Sequence, residues 1–151
     1  NNQEELLASQ LAKTQQSGIR LAEQAFMAGL MQVLGPLVLL STMPHNQQQL
    51  TEEDMFQEGI PDHCLISAYL MLLWGFETEV CDAVMYRLSL SEVPQPTLLE
   101  TIMHLSSYVI VFRRRRQDED LPVPCWTALQ QFQLTDTFSH LQQSGSGVLN
   151  E

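Results

Sequence analysis

Apolar residues recur at intervals of three and four positions in every long segment of this chain, and no long segment alternates apolar and polar residues. This spacing puts apolar side chains on one face of a helix, whereas strands require alternation. Residues 78–88 are a clear example, with Val80, Ala83, Val84 and Leu88 on one stripe. The 151 residues suit one domain that buries a core without disulfides. We therefore predict an all-α, compact helical bundle of about seven helices.

Helix breakers and capping residues place the ends of the helices. Ser17-Gly18 is expected to end the first helix, and Asp62 and Thr78 are expected to cap later ones. Gly75 is expected to end the helix that follows Asp62, with Trp74 as a core anchor, and Thr97 and Glu100 form a capping-box pattern. Thr51 is expected to cap a short acidic helix. The other predicted helices cover residues 3–16, 21–42, 62–74, 78–88, 97–116, 124–132 and 135–142. We predict one domain over residues 1–143 and a flexible tail over 144–151.

The charge balance limits the classes of partner. The chain has 7 basic and 18 acidic residues, a net charge of −11, and four of the basic residues form the run Arg113, Arg114, Arg115 and Arg116. Nucleic-acid binding depends on neutralising phosphates, so an acidic chain is not expected to bind nucleic acid or an anionic membrane. The arginine run predicts either a solvated helix end or a docking patch for an acidic partner.

The cysteines and the apolar runs indicate the compartment. Cys64, Cys81 and Cys125 are widely spaced and odd in number, as expected for reduced cysteines in a cytoplasmic protein. No stretch reaches 18 uncharged apolar residues without interruption, because Gln32 and Pro36 fall inside the longest run. We therefore expect a cytoplasmic protein without a membrane-spanning helix.

The segment AFMAGLMQVLGPLVLL, residues 25–40, is apolar apart from one amide and a helix breaker. Its composition predicts burial on most sides. Gln32 is then either bonded to backbone in the core or part of a small polar pocket. Pro36 lacks a backbone donor and should bend the helix.

Four segments in register resemble HDOD domains, which are degenerate members of the HD superfamily. AFMAGLMQVLGPLVLLSTMP is similar to the HD helix, DHCLISAYLMLLWGFETEVCDAVMYRL to the HDOD W-G segment, TLLETIMHLSSYVI to the next helix and WTALQQFQLTDTFSHL to the closing segment. The likeness covers residues 20–142. HDOD domains also carry an N-terminal helical half, which is not recognised in this sequence.

The resemblance implies where a metal site would lie and how far it has eroded. The positions that match the family's ligands form a vestigial cleft with His63 and His104 retained and with the substituted residues Gln32, Val33, Arg87 and Ser107. Glutamine is a weak ligand, valine is none, and arginine would repel a cation. We therefore expect no metal, no cofactor and no catalytic residue. The two histidines have either structural or binding roles.

The resemblance implies a non-catalytic bacterial signal-transduction module that acts by protein–protein interaction, as in response regulators. Its expected partners are other signalling proteins or domains, including an attached receiver domain, and a homodimer stays open. One alternative is a residual metal-dependent phosphohydrolase acting on nucleotides or cyclic dinucleotides. Another is a sensor that binds a small ligand in the vacated cleft.

Overall fold

The computed structural model describes residues 2–44, 59–114 and 124–146, and within these ranges it contains seven α-helices and no strand. The helices are α1 (Asn2–Met31), α2 (Leu34–Thr42), α3 (Asp62–Leu73), α4 (Thr78–Met85), α5 (Leu98–Arg114), α6 (Trp126–Gln131) and α7 (Thr135–Ser146). The predicted all-α class is confirmed. The helix predicted after Thr51 and residues 147–151 of the predicted tail lie outside the described ranges.

Helix α5 organises the bundle, since it contacts α1, α4, α6 and α7, while α2 packs along α3. One apolar cluster joins α1, α3, α4 and α5 and includes Met71, Val84 and Met103. A second cluster joins α5 to the last two helices through Leu129 and Phe138. The polar residues of the predicted cleft lie on α3 and α5, just after α4 and beside α2, so their positions depend on how these helices pack.

The predicted break at Ser17-Gly18 is wrong, because α1 runs through both residues without interruption. A glycine inside a helix costs only about 1 kcal/mol relative to alanine, which is too little to end a helix that other residues support. A side chain at Gly18 would meet no atom within 4 Å, so close packing does not require a glycine there.

The expectation that residues 25–40 are buried on most sides is also wrong. Ala28 is fully buried against the first cluster, but Phe26 is 70% exposed, and Leu30 and Leu37 are more than half exposed. The segment contributes one face to the core and presents its other apolar face outward. Composition alone does not distinguish these arrangements, because both use the same residue types.

The capping box predicted before α5 is confirmed, whereas the N-caps predicted at Asp62 and Thr78 are wrong by one residue. Thr97 and Glu100 form the predicted capping box at the start of α5, with the Thr97 N–H donating to Glu100 Oε1 at 3.1 Å and the Glu100 N–H donating to Thr97 Oγ1 at 3.2 Å. Asp62 and Thr78 are the first residues of their helices, and the residues before them occupy the N-cap positions.

The Trp74-Gly75 pair ends α3. Gly75 has a φ of +83°, a left-handed conformation that glycine adopts without strain, and the Phe76 N–H donates to the Met71 carbonyl at 3.0 Å. Trp74, expected to be a core anchor, is instead 60% exposed. The tight turn directs the chain into α4 without requiring the indole to be buried.

Candidate functional site

Pro36 interrupts the apolar segment, and Ser67 satisfies the backbone groups that the interruption frees. Proline has no N–H to donate to the carbonyl of Gln32, four residues earlier. That carbonyl instead accepts a hydrogen bond from the Ser67 hydroxyl of α3 at 3.1 Å. The same hydroxyl oxygen accepts the Gly35 N–H at 2.7 Å. The break between α1 and α2 therefore has a fixed geometry, and Gln32 lies at its corner.

Arg87 lies at the centre of the candidate site. It is only 6% exposed, although it carries a charge. Its Nη2 donates to Nδ1 of His63 at 3.3 Å, and its Nη1 donates to Oγ of Ser107 at 3.4 Å. A guanidinium has no acceptor atom, so Nδ1 of His63 must be the acceptor and the imidazole is neutral. Arginine, histidine and serine from three parts of the chain thus meet at one point.

The Cys64 thiol adjoins this point, with Sγ 3.7 Å from Nδ1 of His63. Burial raises the pKa of Cys64, and the nearby guanidinium of Arg87 only partly opposes that shift. The sulfur therefore stays a neutral thiol at neutral pH, and it does not supply the negative charge that a buried arginine would ordinarily pair with.

His104 links the Arg87 backbone to the start of α6. Its Nδ1 lies 2.8 Å from the Arg87 carbonyl oxygen, to which it donates, and its Nε2 accepts the Cys125 N–H at 3.1 Å. One ring nitrogen is thus a donor and the other an acceptor, as only the neutral ring allows. Burial lowers the pKa of His104, with the hydrogen bond to Arg87 opposing the shift. This predicted site residue has a structural role.

The protonation of His104 predicts an acid-dependent loss of stability. Its folded-state pKa lies below the ordinary value, so as pH falls through about 6.5 the unfolded chain takes up the proton first. The contribution of the neutral His104 ring to the free energy of unfolding is therefore complete above that pH and is lost as the pH falls below it. We expect the free energy of unfolding to fall more steeply from pH 7.5 to 5.5 in the wild type than in His104→Gln, as measured by urea denaturation. Equal slopes would contradict this role.

Four of the six predicted cleft residues line one cavity of about 370 Å³ beside the start of α2: Gln32, Val33, Arg87 and Ser107. The other two, His63 and His104, do not line it but contact Arg87 from either side. Sequence reasoning missed the apolar wall that α5 contributes through Ile110 and Val111. They lie three and four residues after Ser107 on α5, and the wall becomes visible only once α5 is placed beside α2.

The site offers few ligands to a metal ion. Within the described ranges, no group of three or more histidine, cysteine, aspartate or glutamate side chains is placed to hold one. The guanidinium between His63 and Ser107 adds a positive charge at the point where the resemblance places the metal. Such a charge would repel a cation and attract an anion.

The predicted docking run lies mostly beyond what the structure shows. Arg113 and Arg114 are the last residues of α5, and Arg115 and Arg116 fall outside the described ranges. A different surface is evident between α2, α3 and α4: an open groove of about 510 Å³ whose lining side chains are uncharged. Leu65, Tyr69 and Leu72 follow helical spacing along it. This spacing is evident in the sequence, but the same spacing also predicts a stripe that is buried in a core.

One described segment, residues 16–42, is long and apolar enough to cross a membrane by length and composition, with a mean hydropathy of 1.7. Only 11% of its most apolar window is buried in the fold. The segment is divided between α1 and α2 at residues 32–33. Signal sequences and core helices of soluble proteins meet the same criterion, so the segment is weak evidence for a membrane span.

Comparison with known proteins assigns the chain to a family. A family model of the HDOD domain matches residues 5–89, which cover α1 from Glu5 onward, include α2 to α4 and extend to Ser89. The search of curated proteins and the search of solved structures each gave no match. The resembling segments on α5 to α7 lie beyond the matched region. Because that region covers more than half of the 151 residues, the chain belongs to the HDOD domain family of signalling-related, HD-like domains.

Proposed function

We propose that this domain is a non-catalytic bacterial signal-transduction module that acts in the cytoplasm by binding another protein through the α2–α3 groove. The groove is the surface between α2, α3 and α4 lined by Val38, Leu65, Tyr69, Leu72 and Met85, among others. Its exposed apolar surface is the observation that carries the proposal. Continuous apolar surface of this kind is typical of interaction sites.

The buried centre of the site supports the non-catalytic part of the proposal. Hydrolysis assisted by metal ions needs several histidine or carboxylate ligands that converge on an open position. The geometry around Arg87 provides two histidines, and both nitrogens of His104 already bond to backbone groups. Binding a cation there would require His104 to release a backbone group and the guanidinium to move away.

The shape of the groove supports a helical partner. Leu65, Tyr69 and Leu72 are spaced i, i+4 and i+7 on α3, and each is more than 40% exposed. Val38 of α2 faces the same groove. Grooves of this kind bind the apolar face of an amphipathic helix, whose side chains enter at matching intervals. The net charge of −11 on the whole chain favours a protein partner over nucleic acid.

Substitution of Tyr69 tests the groove. Tyr69 is 62% exposed, so Tyr69→Glu should leave the fold intact while placing a charge in the contact. Proteins enriched by the wild type are identified, purified and titrated against it by calorimetry. We expect Kd to rise at least tenfold, or about 1.4 kcal/mol, for the variant.

Leu6→Glu is the matched control, because Leu6 is 61% exposed but lies on α1, outside the groove. It should bind as the wild type does. Light scattering shows whether the partner is a second copy, in which case the wild type dimerises and Tyr69→Glu does not. Equal binding by the wild type and Tyr69→Glu in the purified system would refute the groove as the docking surface.

A further inference from the structure

We propose that the 370 Å³ cavity between the start of α2 and α5 binds a small anion with an apolar body, whose carboxylate or phosphate head pairs with the guanidinium of Arg87. This inference does not depend on the α2–α3 groove, which is lined by different residues. It gives a chemical identity to the ligand of the vacated cleft.

The guanidinium of Arg87 carries a positive charge that no carboxylate of the described residues balances. Arg87 is nine-tenths buried, and its hydrogen bonds reach two neutral acceptors, His63 and Ser107, at 3.3 and 3.4 Å. Within the described ranges its Nε has no hydrogen-bond partner, and no carboxylate lies within ion-pair distance of the guanidinium. A buried charge without a partner is costly, and an oxyanion that accepts from Nε and Nη would offset that cost.

Burial also lowers the pKa of Arg87, which is the direction expected for a guanidinium that lacks a carboxylate partner. The contact with the neighbouring Cys64 opposes this lowering of the Arg87 pKa only in part, because burial keeps the sulfur protonated. The local field at the cavity wall is therefore positive, although the whole chain carries a net charge of −11. A localised positive site within an acidic protein selects for anions small enough to enter.

The wall of the cavity combines mostly apolar side chains with a few polar groups. Val33, Pro36, Leu37, Ile110 and Val111 make most of the lining apolar, and its polar groups come from Gln32, Arg87 and Ser107, of which Ser107 hydrogen-bonds to Arg87. One of them, the Gln32 Oε1 atom, is buried without a hydrogen-bond partner among the described residues. A few polar groups converging in an apolar cavity are typical of small-molecule sites, and 370 Å³ falls within their usual size range.

The unbalanced charge of Arg87 and the apolar wall of the cavity together define the ligand. The charged head must accept hydrogen bonds from the guanidinium, which suits the paired oxygens of a carboxylate or a phosphate monoester. The remainder must be apolar, because it contacts valine, leucine and isoleucine side chains. Hexanoate and hexyl phosphate meet these requirements with different heads on a similar linear alkyl chain, whereas hexanamide resembles hexanoate in shape but is uncharged.

Thermal unfolding and calorimetry at fixed ionic strength test the proposal with these three probes. We expect at least one of the two anions to raise the unfolding temperature in a concentration-dependent manner, while hexanamide has no effect. The anion that responds identifies the head group. Arg87→Met should weaken binding at least tenfold, because it keeps an unbranched, flexible side chain and removes the charged guanidinium. Arg20→Met is the matched control, since Arg20 is an exposed arginine paired with Glu77 on another face, and it should bind as the wild type does.

A second measurement keeps the test valid if Arg87→Met fails to fold. In the wild-type protein, the NMR resonance of the Arg87 Nε–H should shift on addition of the anion and saturate with the calorimetric Kd. A resonance that does not move at saturating concentrations of either anion would overturn the proposal. Equal thermal shifts for wild type and Arg87→Met, or a shift with hexanamide as large as that with the anion that responds, would also overturn it.

Discussion

Replacing Gly35 with alanine is expected to lower the free energy of unfolding by at least about 3 kcal/mol. An alanine Cβ at this position would overlap the backbone carbonyl oxygen of His63 and would lie 2.7 Å from the His63 carbonyl carbon. It would also lie 2.8 Å from Oγ of Ser67, the hydroxyl that bonds to the Gly35 N–H. Backbone atoms cannot rotate out of the way, so α2 and α3 would have to separate.

Gly29→Ala is the control for this prediction. Gly29 lies in α1, and a Cβ there would meet no atom within 4 Å. Alanine favours a helix over glycine, so this variant should be more stable than the wild type by about 0.5–1 kcal/mol. Urea denaturation of both variants measures the difference, which should have opposite signs. A Gly35→Ala protein as stable as Gly29→Ala would show that α2 does not pack on α3 as closely as described.

Removing the ring of Phe138 is expected to destabilise the protein by about 3–5 kcal/mol. Phe138 is fully buried, and its ring centroid lies 5.7 Å from that of Tyr108 and 5.3 Å from that of Trp126, both in edge-to-face geometry. Phe138→Ala would leave a cavity between α5, α6 and α7 and would remove both aromatic contacts. Thermal and urea denaturation measure the loss.

The stability of Phe138→Ala also tests whether α7 folds with the rest of the domain, because α7 lies beyond the region that matches the family model. A large effect on a single cooperative transition would show that the last helices fold as part of the same core. Phe26→Ala is the matched control: Phe26 is on the exposed face of α1, so its loss should change stability by no more than about 0.5 kcal/mol. An equally small effect for Phe138→Ala would mean that α7 contributes little to the core.

Local interactions account for what could be predicted reliably. The capping box at Thr97 and Glu100, the turn at Gly75 and the bend at Pro36 depend on contacts within a few residues, and each occurs in the structure. The predicted break at Ser17-Gly18 is wrong because the low helix propensity of glycine, worth about 1 kcal/mol, is too small to end a helix that other residues support. Helix ends are predictable when capping and turn chemistry fix them, and less so when only propensity suggests them.

In the vestigial cleft, too, the sequence predicted the residues but not how they contact one another. Sequence likeness identified six positions, but it gave no indication that Arg87 lies between His63 and Ser107, 24 residues before it and 20 after it in the chain. It also left open whether Gln32 bonds to backbone. The structure shows that the backbone carbonyl of Gln32 accepts from Ser67, while its side-chain amide oxygen is buried without a hydrogen-bond partner among the described residues.

The sequence by itself determined the helical class, most of the helix boundaries and the set of residues that occupy the former ligand positions, because periodicity, capping and residue identity are properties of short segments. Only the tertiary structure decided which apolar faces are buried and which are exposed, and which polar side chains meet. Phe26 and Ala28 lie two residues apart in one apolar run, yet one is 70% exposed and the other fully buried. Burial depends on what packs against each face, and that is set by contacts between residues far apart in the chain.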